Sequence, residues 1–186
     1  MKPRGSAILR PASWFAFAGA VVSLFQIGFL IAMFAAFAAG AQSAGQTIGG
    51  INDRLVLIQY ALLAPVVITV TLLTPVRSRV VSVMVPLAGL AGIAWIVYWQ
   101  AMLITGRIRF EDQVGIVSMG FLLIGAWFVV AGYLASRAGL LRRGGAMGLL
   151  AALYVGYPVW AWLIGRRLDE LAQRPLEAPI SPVARR

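Results

Sequence analysis

Residues 80–105 read VVSVMVPLAGLAGIAWIVYWQAMLIT, with no charged side chain anywhere in the stretch. It exceeds the ~20 residues a helix needs to cross a bilayer. Its apolar residues neither alternate with polar ones, as a barrel strand requires, nor gather on one helical face, as in a surface helix of a soluble domain. A segment that is apolar on all sides needs an apolar solvent. In lipid the backbone amides have no water to bond, so they bond within their own segment and the segment is helical.

Four further blocks have the same character: 14–41, 55–74, 114–135 and 146–165. The sequence therefore predicts an all-α, polytopic transmembrane bundle of five spans. It forms one domain over residues 1–173, and the tail 174–186, with Pro175, Pro179 and Pro182, is predicted to be disordered. Composition agrees. The chain is 61% hydrophobic and 12% charged, against about 45–50% and about 25% in soluble domains. The first block follows Lys2, Arg4 and Arg10 and ends at Ala39-Gly40-Ala41, which fits a signal-peptide cleavage pattern. Its length exceeds the apolar core of a signal peptide, about 7–15 residues, and so favours a retained span.

Charge is confined to the connections. Pro75 to Arg79 and Ser136 to Gly145 are basic, while Gly106 to Gln113 carries Arg107, Arg109, Glu111 and Asp112. The net charge of +10 thus reads as topology-setting loop charge rather than a nucleic-acid surface, and no nucleic-acid partner is expected. With five spans, the amino terminus and the second and fourth connections share eight basic residues and no acid. The opposite side holds Arg54, Arg107, Arg109 and a basic tail, with all six acids. With the distant tail discounted, the positive-inside rule places the amino terminus in the cytoplasm and the carboxyl terminus outside.

The chain has no Cys and no His, which excludes disulfides, thiol chemistry and His-ligated haem or zinc. No cofactor or metal site is expected. No span holds an ionisable residue, whereas pumps and transporters place such groups near the midplane. The polar residues inside spans are Gln26, Gln59, Thr69, Thr71, Gln100 and Ser118. Gln26 lies deepest and reads as an interhelical hydrogen bond.

Small residues recur every four positions as Gly28, Ala32, Ala36 and Gly40, and again as Gly144, Gly148, Ala152 and Gly156. Such ladders let helices approach closely, within the chain, in a homo-oligomer or against another membrane protein. Aromatic residues form a second pattern. Trp95, Tyr98 and Trp99 precede Arg107, and Tyr154, Tyr157, Trp160 and Trp162 precede Arg166. These read as an interfacial belt or as a pocket for a lipid or other hydrophobic tail. Pro65 and Pro158 lie within predicted spans, where they kink helices, and Pro158 sits among the aromatics. At an offset of 59, Gly89-Leu90, Tyr98, Gly106-Arg107 and Glu111 match Gly148-Leu149, Tyr157, Gly165-Arg166 and Glu170. The match suggests two parallel hairpins, as found in some transporters.

The stretches GYLASRAGLLRRG, 132–144, and YPVWAWLIGRR, 157–167, resemble the penultimate span, basic turn and last span of uncharacterised bacterial multi-pass membrane proteins classed as domains of unknown function. The resemblance implies a helix bundle in the bacterial inner membrane and no activity or binding residue. Arg143 stands where those turns often have proline. The functional expectation is a non-enzymatic component that packs with itself or a partner, or binds membrane lipid. A small transporter is the alternative. An enzyme using Glu111 or Asp169 is the third reading, with Asp112 and Glu170 beside them, and no nucleophile elbow, phosphate loop or metal motif supports it.

Overall fold

The computed structural model describes residues 4–74, 78–140 and 156–173. These form α1 (Arg4–Ala38), α2 (Gln42–Leu73), α3 (Arg79–Ile104), α4 (Phe110–Arg137) and α5 (Tyr157–Gln173), and among the described residues there is no strand. α1 to α4 are each long and apolar enough to cross a bilayer. α5 has 17 residues and carries Arg166, Arg167, Asp169 and Glu170 in its second half; it is not among the helices that meet that description.

Glycine sets three of the helix ends. Gly40, Gly106 and Gly139 have φ of 75°, 68° and 69°, a left-handed conformation that costs glycine little. After each, the next residue's N–H reaches back five positions. Ala41 donates to the Ala36 carbonyl, Arg107 to Met102 and Leu140 to Ala135, each at 2.9 Å. This is the Schellman closure. Gly40, the last rung of the first predicted ladder, therefore serves as a helix terminator. Pro158 is the second residue of α5. In a first turn its missing N–H costs nothing, so it starts a helix and does not kink a span.

α1 packs on α2, α2 on α3 and α3 on α4, while α5 packs on α1. Glycines allow the closest approaches. Gly45 of α2 lies under the Phe37 ring of α1, and a Cβ on Gly92 of α3 would stand 3.0 Å from the Gly120 carbonyl oxygen of α4. The buried core joins Ala12, Ala16 and Ala20 of α1, Leu63, Val66 and Val67 of α2, Ile96 of α3, Ile124 and Trp127 of α4, and Trp160 and Ile164 of α5.

The placement of α5 departs from the five-span expectation. Its first residue, Tyr157, sets its hydroxyl against Gly19, near the midpoint of α1. Further along, Gly165 meets the Phe17 ring, and Arg167 Nη2 donates to the Gly139 carbonyl at the end of α4. α5 therefore runs from mid-depth toward the end of the bundle where α1 begins, here called the amino end. Leu140 leaves α4 at that same end. Leu140 and Gln173 thus lie toward the same end, as does the start of α1. Residues 146–155 of the block 146–165 lie outside the described residues, and a fifth span is not confirmed. The proposed repeat is not supported where its glycines can be compared, and Gly148-Leu149 lie outside the described residues. Gly106 terminates α3, whereas its counterpart Gly165 lies inside α5 against Phe17.

The chain has no native Cys, which makes this arrangement easy to test. Single cysteines at Arg79→Cys and Gln173→Cys should react with a membrane-impermeant maleimide from one side, and Gln42→Cys from the other. Labelling of Gln173→Cys from the side of Gln42→Cys would refute the direction of α5. A second test concerns close packing. Gly92→Leu should lower unfolding stability in detergent by about 1–3 kcal/mol through overpacking, while Gly28→Leu, on an exposed face, should change monomer stability by less than about 0.5 kcal/mol.

Candidate functional site

The five described residues among the six predicted ligand aromatics fall into two separate groups. Trp95, Tyr98 and Trp99 sit together on α3, with edge-on ring contacts of 5.9 and 5.1 Å. Trp95 and Tyr98 are 41% and 55% exposed. Trp95 Nε1 donates to the Ile116 carbonyl at 2.8 Å, tying the far half of α3 to α4. Tyr157 and Trp160 are instead 2% and 1% exposed, and Tyr154 lies outside the described residues.

Tyr157 and Trp160 belong to a cluster with Trp127 and Phe128 of α4. Ring centroids lie 5.8 Å apart for Trp127–Trp160, 4.9 Å for Phe128–Trp160 and 5.7 Å for Phe128–Tyr157. No Cα of α4 comes within 8 Å of one in α5, so large side chains such as these rings span the gap between the two helices. Glycines accommodate them. A Cβ on Gly89 would stand 2.7 Å from the Trp127 ring, and one on Gly19 2.7 Å from the Tyr157 hydroxyl. The rings of the cluster are buried against one another. Trp127 and Phe128 were not singled out from sequence, and their one signal is a matching glycine on a neighbouring helix, which sequence alone does not pair.

The small-residue ladders are placed as follows. Gly28 and Ala32 are exposed and Ala36 half-buried. The face of α1 that packs inward carries Ala12, Ala16 and Ala20, another four-residue ladder that the alanine-rich composition hid. Gly144, Gly148 and Ala152 lie outside the described residues. Gly156 supplies the carbonyl that accepts the Trp160 N–H at 3.0 Å as α5 begins.

A recess lies at the end opposite the amino end, between α1 and α4. The Cα atoms of these two helices also stay more than 8 Å apart. In the amino half α5 fills that gap. In the far half no described residue of α5 reaches, and a cavity of 790 Å³ remains. Leu30, Met33, Phe34 and Phe37 of α1, Leu103 and Ile104 of α3, and Phe110 and Val114 of α4 form its apolar wall. The first turns of α2 give a polar wall of Gln46, Asn52, Asp53 and Arg54, and Glu111 of α4 stands at the rim.

Behind the polar wall lies a layer of amides. Gln113 Nε2 donates to Gln100 Oε1 at 2.9 Å, with the two residues 3% and 4% exposed. Asp53 faces the Gln100 side chain and the Arg54 guanidinium. Arg54 Nη1 donates to the Gly50 carbonyl of its own helix at 2.8 Å. Gln59, Gln100 and Gln26, named from sequence, are all buried. Gln113 was not named, because it falls at the edge of a loop in the sequence and only the packing of α3 on α4 gives it a partner.

The acids offered for catalysis are scattered. Asp169 accepts from Gln173, and Glu170 pairs with Arg167 at 3.0 Å and Arg166 at 3.9 Å. These are exposed pairs on one helix at the amino end, worth little energetically. Asp112 is exposed on the first turn of α4, where the helix dipole favours an acid. Among the described residues no group of acids is arranged to hold a metal. Comparison of the chain with protein-family models, curated proteins and solved structures finds no match.

The aromatic bridge makes a sharp prediction. Trp160→Ala should cost about 3–5 kcal/mol of unfolding stability in detergent, because Trp160 joins α4 to α5. Trp99→Ala, partly exposed, should cost clearly less, and equal losses would refute the special role of the buried cluster.

Proposed function

We propose that this chain is a non-enzymatic multi-pass protein of the bacterial cytoplasmic membrane that binds a lipid laterally in the cleft between α1 and α4. The carrying observation is the 790 Å³ recess left because α5 fills only half of that gap. The recess is open on one side, so in a bilayer it is filled by what lies beside that end of the bundle, lipid chain or water. Its apolar wall suits acyl chain better than water, which needs two to four polar partners. Its polar wall lies at the end of α2, at the level of a headgroup.

The bilayer orientation follows from charge. With α5 ending at the amino end, Arg54, Arg107 and Arg109 are the basic residues of the far end, and Asp53, Glu111 and Asp112 balance them. The other thirteen Lys and Arg belong to segments that join the helices at the amino end. Nearly all the excess positive charge thus sits on one side, which the positive-inside rule assigns to the cytoplasm. Both termini are then cytoplasmic and the cleft opens in the outer leaflet. This reading accommodates a role as an accessory component of a membrane assembly, with the exposed Gly28 and Ala32 face of α1 open to a partner or a second copy. The transporter alternative loses its main motive because the repeat is not supported.

Protein purified in mild detergent should retain phospholipid, visible as adducts in native mass spectrometry. Val114→Trp and Met33→Trp, which fill the cleft, should remove most of that adduct while keeping the fold. Retention at the wild-type level in both folded variants would refute the cleft as the lipid site.

A further inference from the structure

We propose that the bundle binds a fixed water molecule at mid-depth between α1 and α2, held by the hydroxyl of Ser23 and the side-chain amide of Gln59. Two contacts fix the register of these helices: the Phe37 ring covers Gly45, and Met33 Sδ covers Gly49. Both helices continue from there, through Leu30 and Asn52, in the steps of three and four residues that make a helix seam. The register sets Gln26 opposite Val56, Ser23 opposite Gln59 and Gly19 opposite Leu63. All six are buried, Ser23 at 0% and Gln59 at 1% exposure.

Each of the two side chains carries an enclosed atom with no protein partner, Ser23 Oγ and Gln59 Oε1. For the serine this departs from the habit of the other spans. A hydroxyl in an apolar helix commonly donates to a carbonyl of the preceding turn, and Ser13, Thr69, Thr71 and Ser118 do so at 2.8, 2.9, 2.8 and 2.7 Å. Ser23 makes no such bond, so its hydroxyl is free to bond across the seam, where Gln59 stands opposite. Buried polar atoms are normally paired, with protein or with ordered water.

The chemistry of the pair selects water. Neither group is charged, and the adjoining seam layers hold Gln26 with Val56 and Gly19 with Leu63, so a bound ion would have no counter-charge. An apolar guest would leave both atoms unpaired. Water accepts from the Ser23 hydroxyl and donates to Gln59 Oε1, and it serves the amide whichever way its oxygen and nitrogen are turned. Two such partners meet the need of a buried water for two to four. So placed, it ties α1 to α2 below the cleft, whose lining includes Leu30 and Asn52 of the next seam layer but one. The site does not depend on what the cleft holds.

The test is infrared spectroscopy of the full-length protein in lipid bilayers, exchanged between D2O of natural oxygen and D2O of the heavy oxygen isotope. A water fixed among protein groups gives a narrow O–D stretching band, apart from the broad band of bulk water, that shifts with the oxygen isotope. The wild type should show such a band. Ser23→Ala and Gln59→Met should each lose it, while Ser118→Ala, at an exposed position, should keep it. Elution as a single species and unchanged helicity check the fold of each variant, and Ser23→Ala, which removes only a hydroxyl, decides alone if Gln59→Met does not fold. Absence of the band from the wild type, the result of a direct Ser23–Gln59 hydrogen bond, would overturn the proposal. So would a band that survives in either folded variant, because a bridging water needs both anchors, or one that Ser118→Ala also removes.

Discussion

The rest of the molecule depends on the contact of four rings, Trp127, Phe128, Tyr157 and Trp160, across two helices whose Cα atoms never come within 8 Å. Without a driving force from water, helices in a bilayer associate through packing, and these rings supply it over a distance that small side chains do not reach. They fasten α5 between α1 and α4 in one half of the bundle. Because α5 begins at mid-depth, the same contact determines where the gap is filled and where it is left as a cleft.

Glycine is the counterpart of those rings. Tyr157 needs Gly19, Trp127 needs Gly89, and Phe17 needs Gly165, since a Cβ at each glycine would come within 2.9 Å of the ring or hydroxyl it faces. Elsewhere glycine brings backbones together, as Gly92 does with Gly120. The contrast explains why regular spacing misled. The ladder Gly28, Ala32, Ala36 and Gly40 has the period of a packing face, yet Gly28 and Ala32 are exposed and Gly40 ends the helix. In a soluble helix a polar opposite face would have told which side turns inward. In lipid both faces are apolar, so a four-residue period in an alanine-rich chain does not distinguish the face of Ala12, Ala16 and Ala20 from that of Gly28 and Ala32.

The helical class and the first four long helices were legible because charge exclusion is a property of the solvent and shows directly in composition. The helix ends at Gly106 and Gly139 fall in or beside connections that the sequence placed correctly. What stayed hidden was direction and pairing. Block 146–165 is apolar throughout, and nothing in it records that Leu140 and Gln173 share one end. Gln100 was visible as a polar residue in a span, but its partner Gln113 lay across a loop, and the recess in front of Asp53 exists only once four helices are assembled.

The tail illustrates how one geometric fact reorganises an electrostatic one. With five crossings, the basic tail opposed the basic loops and the Lys and Arg counts of the two sides tied. The tie had to be broken by discounting charges for their distance from the last span. With α5 returning to the amino end, Arg166 and Arg167 lie at that end, and Arg54, Arg107 and Arg109 at the far end are matched by Asp53, Glu111 and Asp112. That neutral end is where the cleft opens. A balanced rim exerts little long-range attraction on charged groups of either sign.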